Sequence, residues 1–174
     1  MTATDEFSAH FPELSLELGP DNLRQLLNSM SVLELPAYRK MIRDRMPVDS
    51  LYFLVDGEVS ISVEENESQI SLGELGPGQW LGEVSVLSGE MLASSTVTTL
   101  TPVKLLRLKH QAFEDIMNRY PAISGVLLKH LTEMLTDRLL ASLAAGTAPI
   151  AAADSGTPPK RRGLLWALFG GNGG

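Results

Sequence analysis

Along residues 51–65, LYFLVDGEVSISVEE, five apolar positions run without a break, and then Val59, Ile61 and Val63 alternate with Glu58, Ser60, Ser62 and Glu64. A period of two marks a strand with one buried face. Asp56-Gly57 between the two runs predicts a hairpin, because the central residues of such a turn need positive φ. Ile70 and Leu72 start another strand, and Gly73, Gly76, Pro77 and Gly78 punctuate it. Residues 95–100 and 103–108 predict a further pair around Thr101-Pro102. The middle of the chain therefore reads as short antiparallel strands closed by Gly- and Pro-rich turns, a β-roll or jelly roll.

On either side the period is helical. Asp21 is placed to cap a short helix, DNLRQLLNSM, with Leu23, Leu26 and Leu27 on one face. Phe113, Ile116 and Met117 form one stripe that ends before Pro121. A longer helix follows over 121–143, where Ile123, Val126, Leu127, Leu131, Met134 and Leu135 recur at three and four, and Leu128 and Leu139 widen the stripe. Residues 31–47 have no dominant period, although Tyr38, Met41 and Ile42 fit a short strand. The pattern divides the chain into four parts. Residues 1–20, broken by Pro12 and Gly19-Pro20, read as a loosely attached arm, and 21–143 as a mostly β domain with flanking helices. Residues 144–159, small and breaker-rich, read as a linker, and 160–174 as a basic and apolar tail.

Composition narrows the chemistry. The 174 residues include no cysteine, which excludes disulfides and thiol catalysis, and His10, His110 and His130 lack metal-ligand spacing. There is no Gly-x-Ser-x-Gly, no Gly-x-x-x-x-Gly-Lys loop and no carboxylate–histidine cluster, so a non-enzymatic role is expected. The net charge is −7, and between Arg45 and Lys104 there is no Lys, Arg or His against nine Asp and Glu. A duplex binds through clustered cations, so no nucleic-acid partner is expected. The first residues lack the basic and apolar regions of a signal peptide. The longest apolar run, LLWALF, is far below the ~20 residues of a spanning helix, so a cytoplasmic location is expected.

Two stretches, VDSLYFLVDGEVSI (48–61) and LGPGQWLGEVSVLSGE (75–90), followed by the strand pair and the two helices, together resemble the cyclic-nucleotide-binding domain family. The resemblance covers about residues 21–143 and implies an antiparallel β-roll with a long C-terminal helix. It further implies that Gly82-Glu83 opens a short helical turn whose backbone N–H groups face the cyclic phosphate, with the carboxylate accepting a ribose hydroxyl. The implied ligand pocket comprises Gly82, Glu83, Val84, Ser85, Ser94 and Ser95. In the family an arginine then pairs with the phosphate. Here the run is Gly89-Glu90-Met91-Leu92-Ala93-Ser94-Ser95-Thr96-Val97, with Leu92 or Ala93 at that place. The glycines that the family carries before the first strand pair are missing at 43–47. Losing a charged hydrogen-bond partner worth ~1.5–3 kcal/mol predicts binding weaker by ~10-fold to several hundredfold.

Individual residues keep two readings. Glu83 is a ribose acceptor or an ordinary charge at a helix start; Gly82 serves ligand approach or turn geometry; Trp80 lines a pocket mouth or fills the core. Helix 121–143 pairs with a second copy or packs on the roll, and Arg138 interrupts its apolar seam. In the tail, Lys160, Arg161 and Arg162 precede Leu164, Leu165, Trp166, Leu168 and Phe169. That pattern fits a peptide docking on a partner protein, an anchor on an anionic membrane surface, or a segment folded on its own domain. The expectation is a regulatory or adaptor module without high-affinity cyclic nucleotide binding, needing no cofactor and recruited by its tail. The alternative is a sensor of cyclic nucleotide or another small ligand, in which binding repositions the C-terminal helix.

Overall fold

The computed structural model describes residues 2–83 and 91–144, so Val84, Ser85 and every tail position named above lie outside the described residues. Twelve elements are described: α1 (Ala3–His10), α2 (Pro12–Asn28), β1 (Ser31–Leu35), β2 (Lys40–Ile42), β3 (Ser50–Asp56), β4 (Val59–Glu65), β5 (Ser68–Leu75), β6 (Trp80–Leu81), β7 (Thr96–Thr99), β8 (Val103–Lys109), α3 (His110–Arg119) and α4 (Pro121–Ala144). The strands form two four-stranded antiparallel sheets, ordered β1-β8-β3-β6 and β2-β7-β4-β5. This is the expected antiparallel β-roll with flanking helices and a long C-terminal helix.

The unbroken apolar run in β3 reflects burial on both faces. Leu51, Phe53 and Val55 point into a core shared with the helices, while Tyr52 and Leu54 point between the sheets. β8 divides in the same way, with Leu106 and Leu108 toward the helices and Val103 and Leu105 toward the roll. One strand pair, Phe53 opposite Leu106 and Leu54 opposite Leu105, thus joins two cores. β4 has only one such face and keeps its alternation, with Ile61 opposite Val97 of β7.

Three expectations need correction. Asp56-Gly57 does not close a hairpin: β3 pairs with β8 and β6, β4 pairs with β5 and β7, and the turn carries the chain from one sheet to the other. Its glycine is still required, since φ is +84° and a Cβ would lie 2.3 Å from the Pro102 carbonyl oxygen. Thr101-Pro102 is the matching return corner, taking the chain from β7 back to β8, and the Thr101 hydroxyl accepts from the Glu58 N–H at 3.0 Å. The true hairpin joins β4 to β5 through Asn66 and Glu67, whose φ values are +50° and +65°.

The second correction concerns the first twenty residues, which are not a loose arm. α1 is closed by a capping box between Thr2 and Asp5, and Phe7 and Phe11 stack with centroids 4.8 Å apart. Phe7, Phe11, Leu14 and Leu18 are buried in the helix-side core. The breakers bend this segment without detaching it: at Gly19 (φ +73°) α2 kinks before Pro20, so its second half is the short helix expected from Asp21. The third correction is Tyr38, which lies in the turn between β1 and β2 at φ +62° and 80% exposed; Met41 and Ile42 are on β2 as expected.

Candidate functional site

β6 delivers the Gly82-Glu83 step against the wall of the roll. Gly82 has φ +79°, and a Cβ there would meet the Ser50 carbonyl oxygen at 2.5 Å. Only glycine lets the chain pass so close to β3 in this conformation. The close contact is with β3, so turn geometry and packing account for this glycine. Val48 and Tyr52, beside it, belong to the core between the sheets.

Glu83 is completely buried, so its carboxylate is not a solvated surface charge. Its Oε1 accepts from an Arg138 Nη at 2.6 Å, and among the described residues no other side chain is placed to hydrogen-bond the buried Oε2. The other Arg138 Nη donates to the Gln79 side-chain oxygen at 3.0 Å and to the Trp80 carbonyl at 3.2 Å. Burial pushes the Glu83 carboxyl above its ordinary value, against the downward pull of the guanidinium. Arg138 itself is 13% exposed. A residue that appeared only to break an apolar seam is thus a clasp between α4 and the Gly82-Glu83 step. A lone arginine within a long apolar stripe is the signal that marks it.

The clasp matters because of where α4 is otherwise held. Ile123, Leu127 and Leu131 anchor its first half in the core. Lys129 adds an ion pair to Glu17 of α2 at 2.7 Å. Beyond Leu131 none of the helix residues with described side chains is fully buried, and half-buried Met134 and Arg138 make the inward contacts.

On the opposite wall, residues 91–99 run beside the segment before β3. The Ala93 N–H donates to the Met46 carbonyl and its carbonyl accepts from Arg45 N–H, both at 2.9 Å, while Val48 N–H reaches the Met91 carbonyl at 2.8 Å. Arg45 takes φ +64°, a left-handed conformation that favours glycine. Ala93 is buried among the between-sheet core, and Leu92 is 49% exposed. Ser95 is buried and Ser94 half-buried at the entry to β7. Trp80 fills the core, edge-on to Phe11 and 4.3 Å from the Phe53 centroid. Among the described residues there is no cluster fit to hold a metal ion and no helix long and apolar enough to cross a membrane.

With this geometry in place, the chain belongs to the cyclic nucleotide-binding domain family, whose model matches residues 32–120. It is similar to Glutaminase 2 of Bradyrhizobium diazoefficiens, 31% identical over 137 residues that cover 78% of this chain and 21% of that protein. A cyclic nucleotide-gated potassium channel of Mesorhizobium japonicum is 32% identical over 117 residues, 67% of this chain and 31% of the channel. The chain therefore spans a fifth to a third of these relatives' length. A crystal structure of a cyclic nucleotide-binding domain from Methylobacillus flagellatus superposes with a TM-score of 0.72 at 21% identity, covering 88% of this chain and 85% of that one. That likeness establishes the fold.

Proposed function

We propose that the chain is a ligand-sensing regulatory module that takes a cyclic nucleotide in its β-roll and reports it through α4. The observation that carries this reading is the buried Glu83–Arg138 pair. The carboxylate that the family offers to a ribose hydroxyl is also what fastens the second half of α4. A ribose hydroxyl donating to Glu83 competes with, or re-aims, the guanidinium, and the end of α4 moves with it. Occupancy thereby becomes a change in helix position, with the Glu83 carboxylate as the ligand's acceptor.

Family membership and the cyclic nucleotide-gated relative support the ligand class. In this reading the place of the family's arginine, held by Leu92 or Ala93, leaves the phosphate to backbone donors near Gly82, with Ser94 and Ser95 as further donors. Affinity is then modest and not absent. A pair of modules meeting along exposed Leu128, Leu140 and Leu143 of α4 would couple two such movements. The test is hydrogen exchange of residues 132–144 with and without saturating cyclic AMP or cyclic GMP. A change in protection confined to this segment and the Gly82-Glu83 step supports the reading. Identical exchange at saturation refutes it.

A further inference from the structure

A cleft of about 470 Å³ lies outside the roll between the α1–α2 elbow, the Gly78–Trp80 stretch and the second half of α4. Phe11, Trp80 and Met134 form its apolar side, and Glu13, Glu133 and Asp137 line it with exposed carboxylates. None of these three makes an ion pair among the described residues. Arg138 also faces the cleft, but its charge is met by Glu83. Lys129, beside the cleft on α4, attracts Glu13 and Glu133, and the lining still carries an excess of carboxylates over cations beside apolar surface. Its end at Ala141 adjoins Leu140 and Leu143, which are 59% and 48% exposed.

We propose that this cleft is the docking site of the chain's own residues 160–169, KRRGLLWALF. The complementarity is direct: three cations for three carboxylates, followed by Leu164, Leu165, Trp166, Leu168 and Phe169 for the apolar side and the exposed leucines. The reach fits as well. α4 ends at Ala144, one turn past the last cleft residue, and 15 residues separate it from Lys160. A chain of that length spans ~19–23 Å root-mean-square, while the cleft extends along α4 from His130 to Ala141, ~16 Å at the helical rise. Tethering places the segment at an effective concentration of order millimolar, so a weak contact suffices to hold it. The acidic charge of the body and the basic charge of the tail are then two halves of one contact.

Zero-length carbodiimide cross-linking of the full chain at low micromolar concentration tests this, because Lys160 is the only lysine after Lys129. The expected product is an amide from Lys160 to Glu13, Glu133 or Asp137, within one chain and independent of dilution. W166A/F169A should lower its yield severalfold without moving the thermal unfolding of the body. Raising the salt to 0.5 M should lower it too, since exposed charges are screened within ~10 Å or less. Three results overturn the proposal: Lys160 linked as often to Glu64, Glu65 and Glu67 on the β4–β5 hairpin, links found only between two isotopically distinguished copies, or co-sedimentation with phosphatidylserine vesicles while the cleft carboxylates stay unlinked.

Discussion

Replacing Arg138 by alanine isolates the clasp. The substitution removes at least the hydrogen bonds to Glu83, Gln79 and the Trp80 carbonyl, and strips a fully buried carboxylate of its arginine partner. Removing one member of a buried pair costs ~3–5 kcal/mol, most of it from stranding the other charge. Two responses limit the loss. Glu83 can take up a proton, its carboxyl already being raised by burial, or the end of α4 can lift and admit water. At neutral pH we expect a loss of ~3 kcal/mol or more by urea denaturation, and a fall of ~6–12 °C in Tm at ~2–4 °C per kcal/mol. Exchange should accelerate in 132–144 and stay slow around Ile123 and Leu127. R138M/E83L, which removes both charges, should regain much of the loss, because a buried pair replaced by apolar groups of similar volume is often neutral. A Tm change under about 2 °C, with exchange in 132–144 unaltered, would refute the claim that Arg138 holds this helix.

Other outcomes follow from the same geometry. Because burial raises the Glu83 carboxyl, the folded state binds its proton more tightly than the unfolded state. Wild-type stability relative to E83Q should therefore rise as pH falls from neutral toward the ordinary carboxyl value, and parallel urea-denaturation curves across that window would contradict the assignment. Placing a Cβ at Gly82, 2.5 Å from the Ser50 oxygen at φ +79°, should cost ~2 kcal/mol or more in denaturant unfolding, against about zero if the step were merely a permissive turn. Phe7→Ala should cost ~3–5 kcal/mol, because Phe7 is fully buried against Phe11 and Phe53; a cost under 1 kcal/mol would restore the picture of a dispensable arm. An arginine placed at Ala93 or Leu92 should tighten cyclic nucleotide binding by ~10-fold to several hundredfold in a calorimetric titration, whereas unchanged affinity would place the phosphate elsewhere.

The roll was legible because its signal is local. Alternation at Val59, Ile61 and Val63 fixes a one-faced strand, and the glycines and prolines mark where strands end. The strand partners were not legible, since an Asp-Gly pair between apolar runs suits a hairpin or a corner; here only Gly57 takes positive φ, packed against Pro102 and Val103. The N-terminal helices were obscured by Pro12 and Gly19-Pro20. These residues interrupt helical periodicity, yet Phe7, Phe11 and Leu14 bury regardless, because tertiary contacts outweigh a kink. At the site, Gly82 and Glu83 could be picked out by their resemblance to a family motif. Arg138 stood out only as a break in an apolar stripe, and its partner was hidden, because it lies 55 residues from Glu83 and no spacing rule joins a loop to a distant helix.

The measurement that tests the central claim most directly is a calorimetric titration of the purified chain with cyclic AMP and cyclic GMP, repeated on E83A. The account predicts saturable binding at one site per chain, with affinity lost or reduced at least tenfold in E83A. Failure of both nucleotides to bind up to millimolar concentration, or binding indifferent to Glu83, would contradict it.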